Sequence, residues 1–162
     1  MVLTTRYSGA QMALHWATAS LVSANYFISD GMGDALDAHI AGDPVVGLTP
    51  VWHVWAGTTL LALVVLRLIV RAASGVPDAK DRNIVLAWGS KIGHWVLYTL
   101  MFSVPALGAL TWYGKLDRFG SLHILVMNIL MITILGHATM AIFHHYVLKD
   151  GLLTRMIPFR RA

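Results

Sequence analysis

Four long stretches of this chain contain almost no charged residues, and they constrain its fold more than any other feature. They cover about residues 10–28, 51–70, 88–112 and 122–147, and the only charges inside them are Arg67 and Lys91. A segment that crosses the hydrocarbon core of a bilayer needs about 20 mostly apolar residues. We therefore predict an all-α integral membrane protein, a four-transmembrane-helix bundle formed by a single domain over residues 1–162. The alternative, a soluble protein with four buried helices, is disfavoured because only 12% of the residues are charged.

The basic residues are distributed unevenly over the segments that flank and connect the four stretches. Loops on the cytoplasmic side of a membrane carry an excess of Lys and Arg. Segment 29–50 has four aspartates and no basic residue, so we assign it to the outer side, with both termini in the cytoplasm. The basic residues assigned to the cytoplasmic side are Arg6, Arg67, Arg71, Lys80, Arg82, Lys91, Lys149, Arg155, Arg160 and Arg161. The other two, Lys115 and Arg118, lie in the third connection, on the outer side.

Two residue types that often carry chemistry are missing from the sequence. The chain has no cysteine, which excludes disulfides, thiolate metal ligands and Cys-ligated Fe–S clusters. It also has no glutamate, and most of its eight acidic residues lie in the connections. The first apolar stretch is too long for the core of a cleaved signal peptide, so we expect it to be retained. Lipid surrounds such a chain, and no nucleic-acid partner is expected.

Histidines inside the apolar stretches form two layers at matching depth. His123 and His137 lie 14 residues apart on the fourth stretch, so they share a helix face and are separated by roughly 21 Å along the axis. With the predicted directions of the helices, His15 matches the depth of His137, and His53 matches that of His123. Ionisable groups within membrane helices are costly and usually functional. The pattern therefore predicts two pairs of histidines, one pair in each leaflet.

Paired histidines on facing helices are suited to the axial positions of b-type haem. Two axial imidazoles leave no open iron position, which favours electron transfer over oxygen activation. Zinc is the chemical rival, but it takes about four ligands at one site and each layer offers two. A single histidine could also be a hydrogen-bonded packing residue. We favour two haem b groups, held by His15 with His137 and by His53 with His123.

Other polar residues lie toward the predicted cytoplasmic ends of the stretches, and their roles stay open. Candidates for contacts to a quinone or a haem propionate are Lys91, His94, His144 and His145, with an ordinary interfacial role as the alternative. Arg67 and Arg71 are one helical turn apart and are candidates for propionate contacts. For Arg71 a simple anchor at the membrane surface is the favoured reading.

Short motifs accompany these histidines along nearly the whole chain. They are Arg6–Tyr7–Ser8 before Leu14–His15–Trp16, His53 with Leu66–Arg67, Gly93–His94 with Leu97–Tyr98, and His137 through His144–His145–Tyr146, Lys149–Asp150, Leu153 and Arg155–Met156 to Pro158. The last run is the most specific, because it combines a ligand candidate, a histidine pair and a basic exit at fixed spacing. In these motifs the chain resembles the bacterial cytochrome b561 family of small dihaem membrane proteins.

The resemblance implies a role as well as a fold. Family members carry electrons between the quinone pool and the outer side of the bacterial inner membrane, and one defined activity is superoxide oxidation coupled to ubiquinone reduction. Other relatives resemble donors to periplasmic cytochromes c or other redox proteins. The family's axial ligands fall on His15, His53, His123 and His137, in the pairing that helix depth already predicts.

The sequence departs from the superoxide-using pattern on the outer side. Its third connection, about residues 113–121, is short, and segment 29–50 is acidic. An anion is steered by positive potential, which here comes from Lys115 and Arg118. A basic redox protein would suit an acidic surface better, so superoxide and a periplasmic redox protein both remain candidates.

Two alternatives of other classes accompany the electron-transfer hypothesis. One is a haem-bearing membrane anchor that serves a periplasmic cytochrome c or another redox enzyme. The other is a transporter without haem, which is disfavoured because charged residues within the spans are scarce. The direction of electron flow is open, and so is the oligomeric state, with a homodimer among the alternatives.

Overall fold

The computed structural model describes residues 6–77 and 84–157, except for the side chains of residues 85–87. Its α-helices are α1 (Gly9–Phe27), α2 (Met32–Ala41), α3 (Leu48–Ser74), α4 (Ile84–Trp112) and α5 (Gly120–Phe143). A 3-10 turn (Asp117–Phe119) precedes α5, a π-helix (His144–Leu148) continues it, and a last 3-10 turn spans Leu153–Met156. Four of the basic residues used to predict orientation, Lys80, Arg82, Arg160 and Arg161, lie outside the described residues, as does Pro158.

The chain is helical at all four predicted stretches. Within the described part of the chain, three helical segments are long and apolar enough to cross a membrane, namely Leu48–Ser74, Trp88–Trp112 and Asp117–Leu148. Helix α1 coincides with the first predicted stretch but is not one of these three. Its 19 residues include Gln11, His15 and Asn25, and these polar side chains reduce its mean hydropathy.

The helices pack in an antiparallel series in which α1 contacts α3, α3 contacts α4, and α4 contacts α5. Apolar side chains from these helices meet in one core, formed by Val22, Leu60, Val64, Leu97, Met101, Val104 and Leu130. Most of the remaining large apolar side chains on α3 and α5 point outward, as a lipid-facing surface requires. The core therefore holds the helices in the register that fixes the depth of each histidine.

The two ends of the bundle are built differently. At one end, called the π-helix end, α1 begins and α5 passes into the π-helix. A capping box of Ser8 and Gln11 starts α1, and Gln11 Nε2 also donates to the Gly75 carbonyl at 2.8 Å. The indole of Trp16 donates to the Met156 carbonyl at 2.8 Å. The last described turn is thus tied to the first helix.

The opposite end, called the α2 end, carries a helix within the segment that sequence analysis treated as a loop. Helix α2 lies between Gly31 and Gly42, which both have positive φ. The His39 ring stacks on Trp112 with centroids 4.3 Å apart, and His39 Nε2 is 3.2 Å from the Trp112 carbonyl. Glycines and aspartates gave this segment the composition of a loop, but Ala35 is buried, so α2 has an inner face.

The core makes a first prediction about stability. Leu130 on α5 is fully buried, whereas Leu135 on the same helix is 64% exposed. We expect Leu130→Ala to destabilise the fold by about 2–5 kcal/mol, because it leaves a cavity. Leu135→Ala is the matched control and should change stability little. Thermal unfolding of the purified protein in detergent, followed by circular dichroism, would measure both, and equal effects would contradict this core.

Candidate functional site

The structure brings His53 and His123 together at the α2 end. His53 is on α3 and His123 is on α5, and their ring centroids are 6.2 Å apart with the rings nearly perpendicular. A metal ion held by one nitrogen of each ring at about 2 Å places the centroids roughly 6 Å apart. The spacing of this predicted pair is therefore right for two axial ligands of one iron.

Helix α4 orients the His123 ring, although it contributes no histidine to this pair. His123 Nδ1 donates to the Val104 carbonyl at 2.8 Å, which leaves Nε2 free as a ligand. The ring packs against Gly108, where a Cβ atom would lie only 3.1 Å from Cε1 of His123. Glycine at this position thus allows the close approach of the imidazole to α4.

A cavity of about 670 Å³ adjoins the two rings. Ligand pockets usually have volumes of about 300–1,000 Å³ and mostly apolar walls with a few polar groups. All five α-helices line this cavity, and its polar wall residues include Asn25, His53 and His123. The histidine spacing, the oriented ring and the cavity together fit a b-type haem at this end.

At the π-helix end, His15 and His137 of the other predicted pair belong to one polar cluster, in which the ring in contact with His137 is that of His94 and not that of His15. His15 on α1 interacts electrostatically with His137 on α5 and with His94 on α4. The rings of His94 and His137 are 5.4 Å apart and nearly perpendicular. His94 Nδ1 donates to the Ser90 carbonyl at 2.6 Å. His94, predicted as a quinone or propionate contact, therefore lies directly beside a predicted axial ligand.

Arg67 on α3 extends into this cluster. Its guanidinium donates to His15 Nδ1 at 2.8 Å and lies 5.3 Å from the Tyr98 ring centroid. Arg71 approaches the same ring, at 5.5 Å. Among the described residues, no carboxylate forms an ion pair with either arginine. Both arginines are partly buried, and their guanidinium groups lie on the same ring without a carboxylate partner among the described residues.

The contact between Arg67 and His15 has a chemical consequence. A guanidinium can only donate, so His15 Nδ1 must accept and the ring proton must lie on Nε2. A histidine that ligates through Nε2 needs the other tautomer. His15 is therefore available as a ligand only after Arg67 has moved away from its ring.

The histidine pair of the C-terminal motif lies in the π-helix. His144 Nδ1 forms a hydrogen bond with the Asp150 carboxylate, and the His145 ring lies against Tyr146 at 4.8 Å. Partial burial acts to raise the pKa of Asp150, but hydrogen bonds from His144 and the Leu152 backbone N–H outweigh it and lower the pKa below its ordinary value. His145 Nδ1 is buried and has no partner in the described part of the chain.

Three of the predicted basic residues are exposed, and each lies next to an aromatic side chain or on a turn. The Lys91 ammonium lies 5.3 Å from the Trp88 ring, at the π-helix end. Lys115 and Arg118 are exposed on the turn between α4 and α5, and the Arg118 guanidinium covers Phe119. The structure thus leaves Lys115 and Arg118 free to act on an approaching solute and leaves Lys91 at the surface.

Zinc gains no support from the arrangement of the described side chains. Within residues 6–77 and 84–157, no three His, Asp or Glu side chains come together as a group able to hold a metal ion. A zinc site takes about four ligands. Pairs of histidines, as found here, suit a cofactor that supplies the remaining ligands itself.

Sequence reasoning missed several residues of these sites. Asn25 is buried beside His53, and Gly108 and Val104 set the His123 ring. The signal for Asn25 was present, since an amide within an uncharged apolar stretch needs a partner. The roles of Gly108 and Val104 depend on the packing of α4 against α5, which spacing along one helix does not reveal.

Comparison with known proteins gives full-length similarity. The chain matches the family described as prokaryotic cytochrome b561 over residues 6–159. It is 37% identical over 154 residues to cytochrome b562 of Cereibacter sphaeroides, covering 93% of this chain and 94% of that protein. It is 25% identical to the "probable superoxide oxidase CybB" of Yersinia pestis, with 97% and 98% covered, and 28% identical to cytochrome b561 homolog 1 of Escherichia coli K12, with 96% and 99% covered. No solved structure matches the chain significantly.

The approach of His123 to α4 makes a second prediction. We expect Gly108→Ala to weaken haem retention about tenfold, the scale of changes next to metal ligands, because the added methyl group displaces the ring. Gly93→Ala on the same helix is the control, since a Cβ there meets nothing within 4 Å. The haem-to-protein ratio after purification measures both, and equal ratios for the two variants would contradict the assignment.

Proposed function

The chain belongs to the prokaryotic cytochrome b561 family, and we propose that it carries electrons across the bacterial inner membrane through two haem b groups. Family membership makes it a haem-binding membrane protein of electron transport. The number of haems, their ligands, the quinone and the sidedness are the proposal. The observation that carries it is the pair His53 and His123, whose rings stand at the spacing of two axial ligands beside a cavity.

The α2 end would hold one haem between α3 and α5. The haem supplies one-electron redox chemistry, and the protein supplies the axial imidazoles and their orientation. His123 is fixed by the Val104 carbonyl, and both rings line a mostly apolar cavity. Both axial positions are then filled by histidine, which leaves this site suited to electron transfer.

The π-helix end would hold the second haem between His15 and His137. Arg67 would leave the His15 ring when the site is filled, and together with Arg71 it would pair with propionate groups. Supporting this, the two arginines have no ion-paired carboxylate among the described residues. His15 and His137 are near enough that a positive charge on one disfavours a charge on the other, and the same holds for His15 and His94.

In this proposal α1, α3, α4 and α5 span the membrane, and both termini lie in the cytoplasm. The π-helix end is then the cytoplasmic end of the bundle, and the α2 end is the outer end. Helix α1 rises about 28 Å over its 19 residues, close to the thickness of about 30 Å of a bilayer core. Its buried polar residues make hydrogen bonds. Gln11 donates to the Gly75 carbonyl at the end of α3, and Thr18 donates to the His15 carbonyl within α1. A helix of lower hydropathy can thus span when its polar face is covered by α3.

The quinone would exchange electrons at the π-helix end, on the cytoplasmic side. His94, His144, His145 and Lys91 offer polar contacts there, and the His145 Nδ1 atom is buried without a partner among the described residues. The hydrogen bond between His144 and Asp150 would hold a proton near such a site. Ubiquinone is the proposed exchangeable substrate.

The partner on the outer side is either superoxide or a redox protein. The "probable superoxide oxidase CybB" is a relative, but its alignment runs over 179 positions, so it contains segments that this chain lacks. Lys115 and Arg118 are the cations that could steer an anion at the α2 end. Against them stand Asp30, Asp34, Asp37 and Asp43, all exposed. This charge favours a basic periplasmic redox protein, such as a cytochrome c, which this chain could serve as a haem-bearing membrane subunit.

The third prediction tests the two-haem proposal. His53→Ala and His15→Ala should each lose one haem, and a different one, because each residue is assigned to one site only. His39→Ala is the control, since His39 stacks on Trp112 and contacts neither pair. Reduced-minus-oxidised spectra with haem quantification would show each loss. Full haem content in a His15→Ala, His53→Ala double variant would refute the proposal.

The fourth prediction separates the outer partners. A variant with Asp34→Asn and Asp37→Asn should react about tenfold more slowly with a basic redox protein at low salt, because electrostatic steering is lost. A variant with Asp34→Glu and Asp37→Glu keeps the charge and should react like the unaltered protein. Stopped-flow haem oxidation or reduction would measure the rates. Faster reduction of the neutralised variant by superoxide pulses would instead support superoxide.

A further inference from the structure

We propose that the Asn25 side chain is a positioning residue for His53, because its Oδ1 atom accepts the Nδ1–H hydrogen bond of that imidazole. The inference rests on the proposed function, in which His53 is an axial ligand. It gives a residue of α1 a role at the α2 end, where the two proposed ligands come from α3 and α5.

Asn25 is placed against the helix that carries His53. It is 8% exposed and lies in the last turn of α1. Its Nδ2 atom donates to the His53 backbone carbonyl at 3.3 Å. Gly57, one turn along α3, lies beside this amide, since a Cβ there would be 3.8 Å from Nδ2. The amide is therefore held at the position of His53 by a contact that uses only its nitrogen.

Two polar atoms at this point are buried without a partner among the described residues. They are Oδ1 of Asn25, an acceptor, and Nδ1 of His53, which can donate. Both residues line the same cavity. A buried polar atom that lacks a partner destabilises the fold, and each of these atoms supplies what the other lacks. A direct hydrogen bond from His53 Nδ1–H to Asn25 Oδ1 would satisfy both atoms.

The other histidine of the pair shows what such a contact does. His123 Nδ1 already donates to the Val104 carbonyl, which fixes its tautomer. His53 is the member of the pair whose Nδ1 has no such acceptor in hydrogen-bond geometry. The backbone carbonyls of Asn25 and Ile28 also face its ring. They are the competing acceptors, and substitution of the Asn25 side chain leaves them in place, so the two explanations can be separated.

An acceptor on Nδ1–H makes the imidazole a stronger donor to iron. A stronger donor stabilises the oxidised iron more than the reduced iron, so it lowers the reduction potential of that haem. Two substitutions then have opposite consequences. Asn25→Leu removes the acceptor and should raise the potential. Asn25→Asp keeps an oxygen acceptor, adds negative charge and should lower it.

The experiment is a redox titration of each purified full-length variant, with the α2-end haem identified as the component lost in His53→Ala. We expect each substitution to change the ratio of reduced to oxidised haem at a fixed potential by about tenfold, which equals about 59 mV for one electron. The low-spin ferric electron paramagnetic resonance signal of the same haem should shift. Asn128→Leu is the matched control. It removes an amide that lines the same cavity, but the oxygen of that amide accepts from the Tyr26 hydroxyl.

The outcomes separate this inference from the proposed function. Shifts in the same direction for Asn25→Leu and Asn25→Asp would overturn it, because both substitutions lose the Nδ2 contact and only one loses the acceptor. Shifts no larger than that of Asn128→Leu would overturn it too and would leave the backbone carbonyls as the acceptors. Should Asn25→Leu fail to fold, the smaller Asn25→Ala takes its place, since it also removes the acceptor and should raise the potential. Retention of both haems by His53→Ala would instead refute the assignment of His53.

Discussion

An imidazole inside a membrane helix must find its partners within the protein, because lipid offers none. The packing of this bundle follows from that constraint. His53 and His123 face each other across α3 and α5, and α4 supplies a carbonyl to one of them. Close approach is possible where side chains are small, as at Gly108. The same constraint gathers His94, His137 and Arg67 at the other end. The contacts that pack the helices are therefore also the contacts that place the histidines.

The two ends of the bundle surround their histidines with different side chains. The α2 end encloses a mostly apolar cavity and is covered by a helix with an acidic outer face. The π-helix end is rich in donors, with Arg67 and Arg71 around Tyr98 and with His144 bonded to Asp150. The α2 end thus offers a cavity for a cofactor beneath an acidic surface. The π-helix end offers hydrogen-bond donors for anionic groups. A chain with sites roughly 20 Å apart along its helices can link the two sides of a membrane.

The sequence was sufficient to predict the helices and the proximity of one pair of histidines. Charge-poor stretches predicted four helices, and depth matching predicted that His53 would meet His123. Three features depended on tertiary contacts that periodicity does not encode. Helix α2 has the composition of a loop and is stabilised by the stacking of His39 on Trp112. Arg67 reaches His15 because α1 and α3 pack together, and His94 reaches His137 because α4 and α5 do. Helix α1 is less apolar than α3, α4 and α5, because it contains Gln11, His15 and Asn25.

The central claim is that one chain holds two bis-histidine haems at different depths. The most direct measurement is the haem b content of the purified protein relative to its polypeptide, combined with a redox titration of the reduced absorption band. The account predicts two haems per chain and a titration that needs two one-electron components. One haem per chain, titrating as a single component, would contradict it.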